Sequence, residues 1–409
     1  MSPAGRIVLR RLEPSAAEGE ITTGVAIESP HAPRRRLWYR VRLPEGWRLT
    51  DASDPFVLVP LYDAMRRRLP IHVEGDVSPS LLANLEEFQR FWARWYPGRF
   101  TPVEIVPEHE REQPPGAAGA LTAFSGGVDS CFTAFRHATG GAGRRSQTSL
   151  TAVMAHGFDV PIEKTAEFDA AADGADAILA TLGIPLVQVA TNVRHVEHAW
   201  DDLVGPALAS CLHLLRPNAR AGLIPASYPY SRLPLWGSHP VSDRLLSSAT
   251  FPIEHDGGAY SRDDKIEVIA DWPAALAGLR VCWEKPLHGR NCGSCVKCVR
   301  TILAFRALGL GLPECFDADV TDDQIRALGR LDRHGRESLR ILLDSVERTA
   351  SSGSWVRAVR SVYYRNVLRD LAHVLISAGA ARRGPPARRR PGCAGRRRAR
   401  SRPPSRRPA

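Results

Sequence analysis

Ser125-Gly126-Gly127-Val128-Asp129-Ser130 joins a short apolar run, Leu121 to Phe124, to a segment that opens a helix, Ser130 to His137. Two adjacent glycines let the backbone turn sharply and bring its N–H groups close to a ligand. A helix beginning here adds free N–H groups and the positive end of its dipole. The hydroxyls of Ser125 and Ser130 add two more donors. A loop of this composition holds a polyphosphate. No G-x-x-x-x-G-K-[ST] string occurs, which argues against the usual P-loop route to the same end. Ionised Asp129 cannot donate to a phosphate. It orients the loop, helps to hold Mg²⁺, or is simply an acidic residue of a first helical turn.

Working outward, strands and helices alternate from Gly119. After the first strand, Leu150 to Ala155, Leu186 to Ala190 and Ala221 to Ala226 read as strands. Between them Thr165 to Leu182 and His198 to Leu215 read as helices, the former with Phe168, Ala171, Ala172, Ala175, Ile178 and Leu179 on one side. Four βα repeats predict an α/β fold, a parallel sheet with helices on both faces, over residues 119–280. Residues 1–110 read as an N-terminal α+β domain. Three strand-like segments, Arg6 to Arg11, Ile21 to Ile27 and Leu37 to Leu43, precede a helix over Ser80 to Tyr96. Its stripe of Leu81, Leu82, Leu85, Phe88, Trp92 and Trp95 is expected to be core. Pro107 to Ala118 is polar and Pro-rich and reads as a linker. Residues 281–381 read as a cysteine cluster and a helical C-terminal part, with helices over Ile302–Leu308, Asp322–Leu331, Arg336–Val346 and Trp355–Ile376.

Cys282 is followed by Cys292-Gly293-Ser294-Cys295-Val296-Lys297-Cys298. Four thiolates so spaced suit a closed tetrahedral Zn²⁺ site of structural type, with no position left for water. An iron–sulfur cluster is the alternative. A ferredoxin run would place its fourth Cys four residues after Cys298, where Ile302 stands. Cys131, Cys211 and Cys315 are isolated and are expected in the core.

The SGGVDS string resembles the pyrophosphate-binding loop of the PP-loop ATP pyrophosphatases, a HUP-like superfamily with an adenine nucleotide alpha hydrolase-like fold. Together with the C…CGxCxxC layout it is similar to 7-cyano-7-deazaguanine synthase over roughly residues 119–310. The resemblance implies that Ser125, Gly126, Gly127, Val128, Asp129 and Ser130 grip the β,γ-phosphates of ATP. A substrate oxygen then attacks the α-phosphorus, pyrophosphate leaves, and the adenylated group passes to ammonia or another nitrogen or sulfur nucleophile. Asp129, Ser130 and Lys265 are the expected catalytic residues. Cys282, Cys292, Cys295 and Cys298 are the expected zinc ligands. By fold analogy His156, in Ala155-His156-Gly157, is expected beside the adenosine. Ligands of open α/β sheets gather beyond the strands' carboxyl ends, which puts Thr191-Asn192 and Ser227-Tyr228 at the mouth of the site. The chain departs from that synthase in its long N- and C-terminal additions, in His156-Gly157-Phe158-Asp159-Val160-Pro161 and in Leu235-Trp236-Gly237-Ser238-His239-Pro240. These predict a different small-molecule acceptor. Two other functions stay open: a tRNA-modifying enzyme of the same superfamily, or a module that holds nucleotide without turnover.

Other polar residues are candidates by position. Trp236 offers a stacking surface to an acceptor, and Ser238 and His239 offer hydrogen bonds. Ser261 caps a helix on which Arg262 and Lys265 share a face that can meet a phosphate or carboxylate. His255 and Asp256 are acid–base or Mg²⁺ candidates.

The 409 residues are 44% hydrophobic and 24% charged, an ordinary globular composition. No run of about 18 apolar residues and no secretory h-region occurs, so the expectation is a cytoplasmic protein without a membrane span. The net charge of +11 is misleading: residues 382–409 hold twelve Arg and no other charged side chain, and subtracting them leaves about −1 for residues 1–381. That Arg/Pro-rich tail is too polar to fold and reads as a solvated extension or as an arm for RNA or a membrane surface. No glutaminase signature stands out, so any ammonia would come free or from a partner. Relatives of the synthase are often dimers, which makes a homodimer an expectation.

Overall fold

The computed structural model describes residues 5–30, 32–283 and 290–382, with side chains to residue 372. Ten strands form one mixed sheet: β1 Ile7–Ala17, β2 Glu20–Glu28, β3 Arg35–Val41, β4 Ile71–Val77, β5 Ile105–Glu110, β6 Ala120–Ala123, β7 Leu150–His156, β8 Leu186–Thr191, β9 Ala221–Pro225 and β10 Ile253–Asp256. Their order is β10-β9-β6-β7-β8-β3-β2-β1-β4-β5. The run β10 to β8 is wholly parallel, as the βα alternation predicts. The N-terminal strands β1, β2 and β3 pair antiparallel, while β4 and β5 continue parallel from β1.

The N-terminal region therefore does not close on itself. β3 lies antiparallel to β8, with Tyr39 opposite Thr191 and Val41 opposite Val189, and the sheet runs on without a break. Asn192 secures the seam: its Oδ1 accepts from Trp38 N at 3.0 Å and its Nδ2 donates to Arg36 O at 2.8 Å. Behind it, Tyr39 Oη and Ser210 Oγ lie 2.5 Å apart in the core. The hairpin joining β1 to β2 turns at Glu18 and Gly19, both at positive φ (52° and 77°). That two-residue turn twists with its strands.

Three strands differ from the sequence expectation. β4 contains Gly75, and β10 is four residues long after Pro252; neither offers the long β-branched run that marks a strand. β5 runs to Glu110, into the segment Pro107 to Ala118 read as a linker, because Pro107, His109 and Glu110 pair with Val73, Asp76 and Val77 on the edge of β4. The connection to β6 is correspondingly shorter.

Alternate residues of the parallel strands point into two cores. Ala152 and Met154 face one, with the helices Val128–Ala138, Thr165–Ala180, Arg262–Ala270 and Val296–Ala307. Leu121, Val153 and Val189 face the other, with Pro79–Trp95 and Trp200–Leu214. Leu81, Leu85, Phe88 and Trp92 are fully buried in that second core, each contributing about 1.5–3 kcal/mol. A buried ion pair joins the N-terminal and parallel regions: Arg216 donates to Asp54 at 2.8 Å, and Asp54 also accepts from Ser78 N and Oγ at 2.8 and 2.7 Å.

The C-terminal part is helical: Arg333–Arg348 packs on Val296–Ala307, and Ser354–Arg382 packs on both Arg333–Arg348 and Asp322–Arg326. No helix among the described residues is long and apolar enough to cross a membrane. The arginine-rich tail lies, apart from Arg382, outside the described residues.

Candidate functional site

β6 lies between β7 and β9, so the chain leaves it toward one side of the sheet and returns to fill the other. That reversal leaves a crevice at the carboxyl ends of β6 and β9, the usual ligand position in such sheets. The loop Ser125–Ser130 fills one side of it. Gly126 has φ +73°, and a Cβ there would also press on Arg280 Cβ at 3.4 Å. Ser130 Oγ braces the loop from within, donating to Gly127 O at 3.0 Å and accepting from Ser125 N at 3.2 Å. The helix Val128–Ala138 starts at Gly127 without a side-chain cap. Its first N–H groups, on Val128, Asp129 and Ser130, are orphaned by helix geometry and have no acceptor among the described residues.

The crevice opens into a cavity of about 640 Å³, the size of a small-molecule site. Its walls include Asp129, Tyr228, Arg262, Arg280, Arg300 and His334. Asp129 receives Lys265 Nζ on Oδ1 at 2.9 Å and Arg262 Nη1 on Oδ2 at 3.4 Å. Burial works to raise the Asp129 carboxyl, but Lys265 and Arg262 outweigh it and hold it below the usual range. Arg280 and Arg300 have no carboxylate partner among the described residues. Buried N–H groups on Arg262 (Nε), Arg280 (Nη1) and Arg300 (Nε) find no acceptor among the described residues. Burial, and then the charge of Arg262, pulls Arg300 down to about 10. Lys265 and Arg262 thus share Asp129, while Arg280 and Arg300 stand beside a row of free N–H groups with no carboxylate in ion-pair contact among the described residues, although Asp159, Asp201 and Asp332 also line the cavity. Buried unpaired charge is costly, so the arrangement calls for an anion.

The same residues do not fit a magnesium ligand set at Asp129. Both of its oxygens are taken by cations, so its observed role is to tie the loop to the helix Arg262–Ala270.

The C-terminal helices supply the facing wall. His334 Nδ1 lies 3.0 Å from Tyr228 Oη, and the His334 ring packs edge-on to Trp236 at 4.2 Å. Burial pushes the Tyr228 phenol up to about 12 and lowers His334, so both are neutral at pH 7.

The four cysteines converge as their spacing predicts. All four Sγ atoms lie within 4.8 Å of one another, and Cys292 and Cys298 are 3.8 Å apart. A tetrahedral zinc with bonds near 2.3 Å has sulfur–sulfur edges of about 3.8 Å. Backbone N–H groups donate to the sulfurs, Cys295 N to Cys292 Sγ at 3.3 Å and Cys298 N to Cys295 Sγ at 3.5 Å. The set fits one ion such as Zn²⁺. A multi-iron cluster spreads its ligands over several corners, wider than this grouping.

Several expected site residues lie elsewhere. His156 is outside the cavity wall: its Nε2 is 3.0 Å from Pro161 O and its ring stacks on Phe168 at 4.3 Å. Lys265 is 1% exposed and also bonds Ala226 O, so it positions Asp129 from behind rather than facing the cavity. Thr191 and Asn192 belong to the β3 seam. Ser238 bonds Asp243 at 2.7 Å, and His239 caps the helix Pro240–Arg244. His255 pairs with Asp243 at 2.7 Å. Asp256 receives Thr133 and His137 at 2.8 and 3.2 Å, locking the loop's own helix to β10. Trp236, Ser227 and Tyr228 do line the cavity.

Sequence reasoning missed Arg280, Arg300 and His334. The first two carried a signal, since each stands two residues from a cluster cysteine. His334 carried none. Comparison of the chain with protein-family models, curated proteins and solved structures yields no match.

Proposed function

We propose that this protein is an ATP-dependent adenylating enzyme of PP-loop type, 7-cyano-7-deazaguanine synthase-like in its chemistry and acting on a different small-molecule acceptor. The observation that carries the reading is the set of guanidinium N–H groups on Arg262, Arg280 and Arg300 left without an acceptor among the described residues, beside the free N–H groups of Ser125–Ser130 at the switch point of a parallel sheet. A triphosphate supplies the negative charge that this end of the cavity lacks. About 640 Å³ also leaves room for an acceptor against Trp236, Tyr228 and His334.

In this reading an acceptor oxygen, from a carboxylate or carbonyl, attacks the α-phosphorus of ATP. The bond from that phosphorus to the bridging oxygen breaks, and pyrophosphate leaves with the electron pair. A nitrogen or sulfur nucleophile then displaces AMP. The loop N–H groups and the arginines stabilise charge growing on the leaving pyrophosphate. Asp129, held by Lys265 and Arg262, keeps the loop in register. Zinc at the four cysteines would be structural, since four sulfurs leave no open position.

The test is a product assay with Mg-ATP and a small-metabolite extract. Extract-dependent AMP and pyrophosphate support the proposal. ADP and phosphate would sink it. Nucleotide binding without any turnover would favour a non-catalytic module.

A further inference from the structure

The cysteine cluster and the phosphate loop are joined through Arg280. Its backbone N donates to Gly126 O at 2.8 Å, and its Cβ lies 3.4 Å from where a Cβ on Gly126 would stand. Its Nε donates to Cys282 O at 3.0 Å. That leaves Nη1 without a hydrogen-bond partner among the described residues, on a residue only 7% exposed in the wall of the cavity. The backbone on either side is pinned by Asn291, next to Cys292: Asn291 Oδ1 accepts from Val281 N at 2.9 Å and its Nδ2 donates to Leu279 O at 2.8 Å.

Arg300 reaches the same cavity from the other side of the cluster. It stands two residues after Cys298 on the helix Val296–Ala307, whose N-cap is Cys295. One end of its guanidinium bonds Ser338 Oγ, and its Nε is buried without an acceptor among the described residues. Arg262 and Lys265 are already answered by Asp129. Arg280 and Arg300 have no carboxylate in ion-pair contact among the described residues; the cysteine thiolates act on Arg280, which also stacks over Trp283 at 4.6 Å, and Asp129 and Cys295 act on Arg300 only through space.

We propose that Arg280 and Arg300 are the pair that receives the outer phosphates of a polyphosphate lying over Ser125–Ser130, and that the four-cysteine cluster is the frame that holds both arginines at the loop. This rests on the proposed reading of the loop as a polyphosphate site. It assigns the cluster a binding role: one cysteine-flanked segment carries each arm of the clamp. A planar guanidinium presents two parallel N–H groups to a phosphate, which an ammonium cannot do.

The experiment measures binding of ATP, inorganic tripolyphosphate and AMP to the full zinc-loaded chain by calorimetry. The proteins are wild type, Arg280→Met, Arg300→Met, Arg280→Lys and Asn291→Ala, each with zinc content and urea midpoint recorded. Arg280→Met and Arg300→Met are expected to weaken ATP and tripolyphosphate about ten- to a hundredfold, with AMP affinity and zinc unchanged. Arg280→Lys keeps the charge and loses less. Asn291→Ala keeps the zinc, frees the Arg280 segment, and weakens the same two ligands. Wild-type affinity in both methionine variants would overturn the assignment. An equal loss of AMP affinity would also overturn it, since that marks damage to the whole site. Wild-type affinity for Asn291→Ala would overturn the framing role. A wild-type protein that binds neither ATP nor tripolyphosphate would overturn the function proposed above, and this clamp with it.

Discussion

His213 makes the stability of the fold depend on pH in a way that can be isolated. The residue is fully buried on the helix Trp200–Leu214, whose first residue lines the cavity. Its Nε2 lies 2.7 Å from Leu246 O, its Nδ1 has no partner, and Phe251 packs on its ring at 5.1 Å. Burial, followed by the charge of Arg216, lowers its pKa from 6.5 to about 3. The folded value lies below the unfolded one, so between them the unfolded chain binds the extra proton. The stabilisation is complete above pH 6.5 and is lost as pH falls toward 3. At pH 5, about 1.5 pH units below the unfolded value and at about 1.4 kcal/mol each, the loss comes to about 2 kcal/mol. His213→Gln keeps a donor for Leu246 O and removes the titration. Urea unfolding of both proteins at pH 8 and pH 5 gives the difference, from which every other titrating group cancels. The wild-type advantage is expected to shrink by about 2 kcal/mol at pH 5. An advantage of the same size at both pH values would refute a neutral, proton-refusing His213.

Three further predictions concern the joints of the structure. Cys295→Ala removes one of four converging sulfurs and is expected to abolish stoichiometric zinc, measured by metal analysis, and to lower the thermal midpoint. Arg216→Met strands the Asp54 carboxylate, which is 0% exposed, and is expected to cost about 3–5 kcal/mol in urea unfolding. Lys265→Met takes one of two cations from Asp129 and leaves Ala226 O unanswered; we expect a loss of about 1.5–3 kcal/mol in urea and a fall in AMP formation, with zinc content unchanged.

What could be read without coordinates was what the chain encodes locally. Strand, glycine pair and helix follow one another within Leu121 to His137, so their geometry depends on near neighbours alone. The cysteines fall within 17 residues, and ligands that close in sequence have few ways to miss one another. Alternating apolar segments likewise announced the parallel strands. Short strands such as β4, β5 and β10 were opaque because pairing, not propensity, makes them strands.

The seam between β3 and β8 shows the limit most plainly. Tyr39 meets Thr191 across about 150 residues of chain, and nothing near either residue states the pairing. Asn192 looked like a site residue and is a sheet clasp; His156 looked like a nucleotide contact and closes its own loop. Conversely Arg262, Arg280, Arg300 and His334 come from four separate segments to one cavity. Local sequence marks Arg262 as a candidate and sets Arg280 and Arg300 near the cysteines, but it does not bring the four together. They become a site because packing buries their N–H groups without acceptors, and burial is a property of the whole fold. The sequence alone determined the glycine-pair turn between strand and helix, the convergence of four cysteines and the parallel strands. Tertiary structure alone decided which charges remain unpaired beside them, because a buried charge is counted only once every neighbour is in place.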